Sequence, residues 1–231
     1  MKSDFLRGIS HGIPIALGYL SVSFGFGIKA VSAGLSVLES SLISTTNLTS
    51  AGQVAGVDII ALGGTIIEMI LVQFTINIRY SLMALSLSQK LDGKFTFPHR
   101  LIAAYGITDE IFAVCSAQKQ KLTPAYMYGM ILISAVGWVT GTALGAAAGQ
   151  LLPESISNAL GIVLYGMFMA VIIPPARKQR SVFVVVIVSA LISILFKYLL
   201  TAVSSGFAVI ISAVVASIIG AILFPVGEEK E

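Results

Sequence analysis

Apolar positions along this chain fall into long blocks separated by short polar connections, and neither a strand-like nor a soluble-helix period dominates. The blocks are Gly12–Gly34, Val37–Gly56, Ile59–Ser88, Leu101–Ala117, Ala125–Leu152, Ile156–Ile173, Val182–Leu200 and Ala202–Phe224. Several reach the roughly 20 residues that cross the hydrocarbon core of a bilayer. A spanning segment must satisfy its own backbone hydrogen bonds, and a helix does this within one segment. The pattern therefore predicts an all-α polytopic membrane protein, read as one transmembrane transporter domain over residues 1–231. No polar stretch is long enough for a soluble domain. Lys2 and Arg7 before the first block imitate a secretion signal, but the block is long and lacks an obvious small-residue cleavage site. It is read as the first helix.

Charges refine the topology. Basic residues cluster before the first block (Lys2, Arg7), after the third (Lys90, Lys94, Arg100), after the fourth (Lys119, Lys121) and after the sixth (Arg177, Lys178, Arg180). Glu39 and Glu154 mark connections without positive charge. If every block crossed from a cytoplasmic N-terminus, the Lys90–Arg100 connection would lie outside, against the tendency of Lys and Arg to stay cytoplasmic. The conflict vanishes if the second and fourth blocks do not cross. Val37–Gly56 is rich in Ser, Thr, Asn and Gly; Leu101–Ala117 is short and carries Asp109 and Glu110. The expectation is about six crossings plus two broken or re-entrant segments, with both termini cytoplasmic; seven or eight full crossings is the alternative. Two glycine-rich stretches, Gly25–Gly34 before Glu39 and Gly141–Gly149 before Glu154, suggest an internal repeat of a helix–loop–helix unit.

Composition agrees. Of the 231 residues 56% are hydrophobic and only 11% charged, against about 25% charged in a soluble domain, and the mean hydropathy is +0.95. The net charge of +3 lies in loop clusters, so it points to membrane topology and not to nucleic acid. One cysteine, Cys115, excludes an internal disulfide and a cysteine metal cluster. Two distant histidines, His11 and His99, suggest no metal site, and no cofactor is expected.

Candidate chemistry lies in polar groups at membrane depth, where a charge costs roughly 2.5–3.5 kcal/mol on insertion scales. The charged candidates are Lys29, Asp58, Glu68, Arg79, Asp109, Glu110 and Lys197. Arg79, in Thr75–Tyr80 beside Asn77, sits about 13 Å of helix before Ser88. Its guanidinium suits a substrate carboxylate or a partner such as Asp109; snorkelling to the interface is the structural alternative. Asp109 and Glu110 are adjacent, so at most one faces a given site. One of them can bind an ammonium group or take up a driving proton; alternatively Thr108 caps a helix that begins with both acids. In Thr45–Gln53, Gly52 suggests an unwound turn, with Ser50 and Gln53 supplying hydrogen bonds; polar adhesion between helices is the alternative. Trp138, the only tryptophan, lies deep in its block as a pocket wall or as core. Glu68 needs a partner that the sequence does not name. Neither a G-x-S-x-G elbow nor an H-E-x-x-H motif occurs, so an enzyme is not expected. A secondary transporter is favoured over a channel or scaffold subunit.

Gly8 through Gly34, Leu35 through Gln53, Asn77-Ile78-Arg79, Thr108-Asp109-Glu110-Ile111-Phe112 and Gly137-Trp138 through Gly149 together resemble the AzlC (azaleucine-resistance) permease family, the large subunit of branched-chain amino acid exporters. The resemblance covers roughly residues 8–175 and departs from the family pattern around Gly52. It implies gradient-driven export of leucine, isoleucine, valine and sometimes methionine across the plasma (inner) membrane, together with a small AzlD-like membrane subunit. An amino acid needs a carboxylate binder, an ammonium binder and an apolar pocket. Arg79 or the Gly52 region serves the first, Asp109 or Glu110 the second, and Phe24, Phe26 and Trp138 the third. With Gln53 and Asn77 beside them, these form the expected substrate site.

Overall fold

The computed structural model describes residues 2–225, and the side chains of 154, 156–164, 167 and 171 lie outside the described set. Within these limits the chain is helical: α1 (Lys2–Ser32), α2 (Val37–Thr46), α3 (Ser50–Ala61), α4 (Ile66–Ser88), α5 (Phe97–Tyr105), α6 (Asp109–Ala117), α7 (Pro124–Leu151), α8 (Glu154–Lys178), α9 (Arg180–Tyr198) and α10 (Ser205–Leu223). Strand pairing among the described residues is limited to one bridge, Leu91 with Leu122. Among the described residues five helices, α1, α4, α7, α9 and α10, are long and apolar enough to cross a membrane; α8, which covers the block expected as a sixth crossing, has 25 residues but is not among them. The fold is that of a polytopic membrane protein.

Two compact units divide the chain. The first comprises Met1–Val57 and Ile76–Leu164, the second Asp58–Thr75 and Tyr165–Glu231.

In the first unit α1 and α7 lie side by side and parallel. A Cβ on Gly137, Gly141 or Gly145 of α7 would run into the backbone carbonyls of Ala16, Leu20 and Phe24 respectively. From the α1 side, Gly8 and Gly27 approach the carbonyls of Tyr126 and Thr142 in the same way. Small residues at four-residue spacing let two membrane helices approach backbone to backbone, where dispersion and weak polar contacts replace a hydrophobic driving force that lipid does not supply. The two glycine-rich stretches of the sequence therefore meet each other: Gly27 lies against Thr142 and Ala146, and Gly149 against Ile28.

Both polar segments are broken, as expected. In the fourth block α5 stops at Gly106, and α6 restarts behind an N-cap at Thr108. The outer ends of this pair lie together, because Lys90 Nζ donates to the carbonyls of Ser116 and Gln118 and the Lys90–Asp92 backbone pairs with Leu122. Thus α5 enters and α6 returns on one side, forming a re-entrant hairpin. That side is also the start of α1, since Arg7 donates to Gln120 at 2.9 Å and Thr123 to Asp4 at 3.3 Å. Lys2, Arg7, Lys90, Lys94, Lys119 and Lys121 thus gather at one end of the unit.

In the second block the break falls at residues 47–49 and not at Gly52. Asn47 Oδ1 accepts from the Thr49 N–H (3.0 Å) and hydroxyl (2.6 Å), and this local turn outcompetes helix continuation. Gly52 is a buried residue inside α3. Gln53 reaches back to Ser44 at 2.8 Å, which a straight helix rising about 13 Å over nine residues would not permit. α2 starts with a reciprocal cap: the Ser36 N–H and hydroxyl both donate to Glu39 Oε2, at 2.7 and 2.8 Å. These two bonds hold the Glu39 carboxyl below the usual carboxylate range. α1 and α3 both end at glycines in the left-handed region, Gly34 (φ 94) and Gly63 (φ 67), with the following N–H groups of Leu35 and Gly64 bonded five residues back.

In the second unit α9 and α10 pack together, with Gly220 against Val185. Glu68, in the first turn of α4, is 4% exposed. Its Oε1 accepts from the Ser204 hydroxyl (2.5 Å) and the Gly206 N–H (2.9 Å), so it caps the otherwise unsatisfied start of α10. The partner that the sequence left unnamed is a helix N-terminus.

The α1–α7 contact makes a sharp prediction. Gly145→Val drives a side chain into the Phe24 carbonyl and costs about 3 kcal/mol or more, lowering the melting temperature and the yield of monodisperse protein. Gly18→Ala, where no atom lies within 4 Å of the added methyl, is neutral or stabilises by up to about 1 kcal/mol. Wild-type melting of the valine variant would refute the backbone-on-backbone packing.

Candidate functional site

The start of α6 assembles the site. Thr108, extended at φ −123 and ψ 170, accepts from the Ile111 N–H at 3.3 Å, and Asp109 and Glu110 occupy the first turn, where the helix dipole favours negative charge. The adjacent acids part company, as neighbouring helical positions must. Asp109 turns to α4. Arg79 Nη1 lies 2.8 Å from its Oδ1 and 2.7 Å from its Oδ2. One guanidinium nitrogen thus serves both carboxylate oxygens, while Nη2 donates to the Tyr80 hydroxyl at 3.1 Å and the guanidinium carbon stands 4.8 Å from the Tyr80 ring centroid. Among the described residues the carboxylate contacts of Arg79 are made by Nη1, and Nη2 meets the Tyr80 hydroxyl. Both ion-pair side chains remain partly accessible, at 41% for Arg79 and 40% for Asp109.

Glu110 turns to α1. The buried Tyr19 hydroxyl lies 2.5 Å from Glu110 Oε2 and 2.5 Å from Thr108 Oγ1. Its single proton goes to the carboxylate, the stronger acceptor; the Thr108 hydroxyl then donates to the Tyr19 oxygen. The ring of Tyr19 meets Trp138 edge to face, with centroids 5.2 Å apart.

From Trp138 a second chain leads to the other break. Trp138 Nε1–H donates to Gln53 Oε1 at 2.8 Å. Indole nitrogen is only a donor, so this bond fixes the amide orientation and leaves Gln53 Nε2 to donate to Ser44 Oγ, again at 2.8 Å. Ser44 Oγ shares a 2.7 Å bond with Thr142 Oγ1. All four side chains are essentially inaccessible, from 0 to 2% exposed. At the surface, the Tyr105 hydroxyl at the end of α5 donates to the carbonyl of Thr45 in the last turn of α2. The two broken segments are thus tied to each other directly and through the α1–α7 pair.

Among the expected site residues, Arg79, Asp109 and Glu110 come together, and Gln53 and Trp138 bond to each other in the adjoining chain. Asn77, two residues before Arg79, does not share its helix face and is half-buried on α4. Gly52 is not an unwound carboxylate cradle, because it lies within α3. The buried cluster around Trp138 contains Tyr19, Leu48 and Met130, while Phe26, itself fully buried, is not among its members. Trp138 therefore serves as core and hydrogen-bond donor and not as the wall of a pocket shared with Phe26. His11 and His99 each bond a tyrosine of α7, Tyr126 at 2.8 Å and Tyr128 at 2.5 Å. Lys197 stands 5.6 Å from the Tyr198 ring centroid. Sequence reasoning missed Tyr19, Ser44, Tyr105 and Thr142. The available signal was a hydroxyl at each of these membrane-depth positions, which lipid would not tolerate without a partner.

A polytopic helical membrane protein with a half-exposed ion pair at the break of a re-entrant hairpin has the make-up of a membrane transport component. The chain belongs to the AzlC protein family, whose model matches residues 14–152. It is 32% identical over 180 residues to an uncharacterized membrane protein of Archaeoglobus fulgidus, covering 76% of this chain and 78% of that one. It is 27% identical over 187 residues to the inner membrane protein YgaZ of Escherichia coli (strain K12), covering 78% and 76%. No solved structure matches. Family membership agrees with a role in membrane transport and not in enzymatic catalysis.

The buried chain predicts non-additive mutants. Gln53→Leu strands the Trp138 N–H in an apolar core and costs about 1–3 kcal/mol, read as a fall in melting temperature. Trp138→Phe in the same background removes the stranded donor, so the double mutant loses less than the sum of the single changes. Strict additivity would show that the bond contributes nothing.

Proposed function

We infer that this protein is a secondary transporter that exports branched-chain amino acids, with the Arg79–Asp109 pair as the zwitterion-binding element. The observation that carries this reading is the half-exposed ion pair at membrane depth. A charge pair exposed to lipid would be costly, so its open face turns to a water-filled path, a substrate or a partner subunit. The pair is neutral as a unit, and a zwitterion is neutral too. An amino acid can insert its carboxylate against the Nη2 edge of Arg79 and its ammonium against Asp109, exchanging one ion pair for two without a net change in buried charge. Glu110, held by Tyr19, is a second acid within the same helical turn and supplies either ammonium contact or a protonation step. A branched aliphatic side chain matches the apolar surroundings, where Ile111 and Leu48 are buried nearby in the core cluster.

Orientation follows from charge. The end of the first unit that gathers Lys2, Arg7, Lys90, Lys94, Lys119 and Lys121 is assigned to the cytoplasm, so export begins on the side from which α5 enters. The family resemblance adds a small multi-helix membrane subunit, and the accessible flank of the ion pair is a candidate region for its contact.

Efflux from cells loaded with a leucine- or valine-containing dipeptide tests the reading, with this chain expressed alone and together with a candidate small subunit. Wild type accelerates release. Arg79→Ala and Asp109→Asn each reduce it about tenfold or more, the rate equivalent of losing one charged hydrogen bond. Arg79→Lys falls between, because it keeps the charge and loses the fork. Undiminished efflux by Arg79→Ala protein, inserted at wild-type levels, would remove the ion pair from the mechanism. No efflux in any pairing would send the function to a different substrate or to a scaffold role.

A further inference from the structure

A cavity beside α5 is lined by neither Arg79 nor Asp109. Between the end of α4, the inner face of α5 and the start of α7 is a cavity of about 200 Å³. Its walls are the buried Leu87, Ala103, Ile107 and Met127, and Ala84 and Ala104 leave the room that larger side chains would fill. Arg100 stands at its edge. On α5, residues 100, 103 and 104 recur at helical spacing, so one guanidinium and two small apolar positions share a face, and Ile107 joins the lining from the break that follows. The Arg100 side chain is exposed, and its one bond among the described residues is a long contact of 3.5 Å from Nε to the Phe95 carbonyl. No carboxylate lines the cavity. The acid nearest to Arg100 in sequence, Asp92, is not part of the lining and accepts from the Lys94 N–H at 3.0 Å.

We propose that this slot is a binding site for a short branched aliphatic monocarboxylate, its tail among the alanines and its carboxylate on Arg100. Size argues for a small occupant: an apolar cavity of about 150 Å³ accommodates benzene, so about 200 Å³ suits a branched five- or six-carbon chain and not a lipid tail. Charge argues for a monoanion over a zwitterion, since the lining offers a guanidinium for the carboxylate and no acid to pair with an ammonium group. The site thus selects the opposite of what the Arg79–Asp109 pair offers: a carboxylic acid lacking the amino group. It stands at the basic end of the unit and does not depend on the amino acid reading.

The full chain in phosphatidylcholine nanodiscs, titrated with sodium 4-methylpentanoate and followed by ligand-observed NMR against empty nanodiscs, tests this. The acid binds saturably; leucine and 4-methylpentanol bind about tenfold more weakly or worse, for want of an ammonium partner and of a charge respectively. Arg100→Gln, an exposed change that spares the core, weakens the acid about tenfold or more. Ala104→Leu, which fills the slot, abolishes binding. Lys94→Gln, a nearby exposed charge outside the slot, leaves binding unchanged. Equal affinity for leucine, indifference to Arg100→Gln, or loss with Lys94→Gln would overturn the proposal. Tighter binding of dodecanoate than of 4-methylpentanoate would overturn it too, making the slot a seat for lipid.

Discussion

Backbone contact between α1 and α7 is the constraint on which the first unit rests. Because α7 offers bare glycine at 137, 141 and 145 to the carbonyls of Ala16, Leu20 and Phe24, the two helices approach more closely than side chains would allow. This approach brings Tyr19 and Trp138 into edge-to-face contact and points their polar ends in opposite directions. Tyr19 holds the break between α5 and α6, and Trp138 holds the break between α2 and α3 through Gln53. A wider α1–α7 spacing would separate the rings and leave two interrupted helices in the membrane without the partners their geometry requires. The glycines act at a distance from the ion pair, yet they set where it can form.

The polar chain and the ion pair play different energetic parts. Trp138, Gln53, Ser44 and Thr142 are satisfied and sealed. Such a network in a dry core resists rearrangement, because breaking any one bond strands a donor. Arg79 and Asp109 are partly accessible, with the carboxylate contacts of Arg79 among the described residues made by Nη1. Rigidity behind and accessibility in front is the arrangement that a recognition element needs: the scaffold holds the charges in place while the bonds that exchange are those facing outward. Glu68 makes the contrast within the second unit, where a buried acid turns its Oε1 to capping α10.

Much of this was legible in the sequence because membranes punish irregularity. The long apolar blocks and the polar content of Val37–Gly56 and Leu101–Ala117 marked a polytopic helical protein with two broken segments; of the six crossings expected, five are matched by helices long and apolar enough among the described residues. The pairing of Arg79 with Asp109 was among the alternatives, since a mid-depth guanidinium must find an anion. The exact break in the second block was missed for a local reason. Glycine was taken as the weak point, whereas Asn47 accepts twice from Thr49 and stops the helix with its own side chain, leaving Gly52 to continue as helix. The block Ile59–Ser88 runs through the left-handed turn at Gly63, so the sequence pattern does not show that Glu68 stands in the first turn of a new helix. Which hydroxyls would join Tyr19 and Gln53 depends on the registry of α1 against α7, a distance of more than a hundred residues in sequence that no local pattern encodes.

The adjacency of Asp109 and Glu110 acquires a physical meaning from this registry. Two neighbouring acids at a helix start are individually favourable through the dipole but repel each other if they face one site. Here the helix turn sends one carboxylate to the guanidinium on α4 and the other to the tyrosine on α1. Asp109 is paired with a full positive charge, whereas the bond to Glu110 among the described residues comes from the Tyr19 hydroxyl. A ligand cation arriving at the break therefore finds the two acids unequal: drawing Asp109 away requires giving Arg79 a replacement anion, while meeting Glu110 displaces no countercharge. Under the transport reading, that asymmetry divides labour between them. The aspartate changes partners only when a carboxylate arrives with the ammonium, which favours a zwitterion over a simple cation. The glutamate, held by a hydroxyl, can meet an ammonium without any change at Arg79.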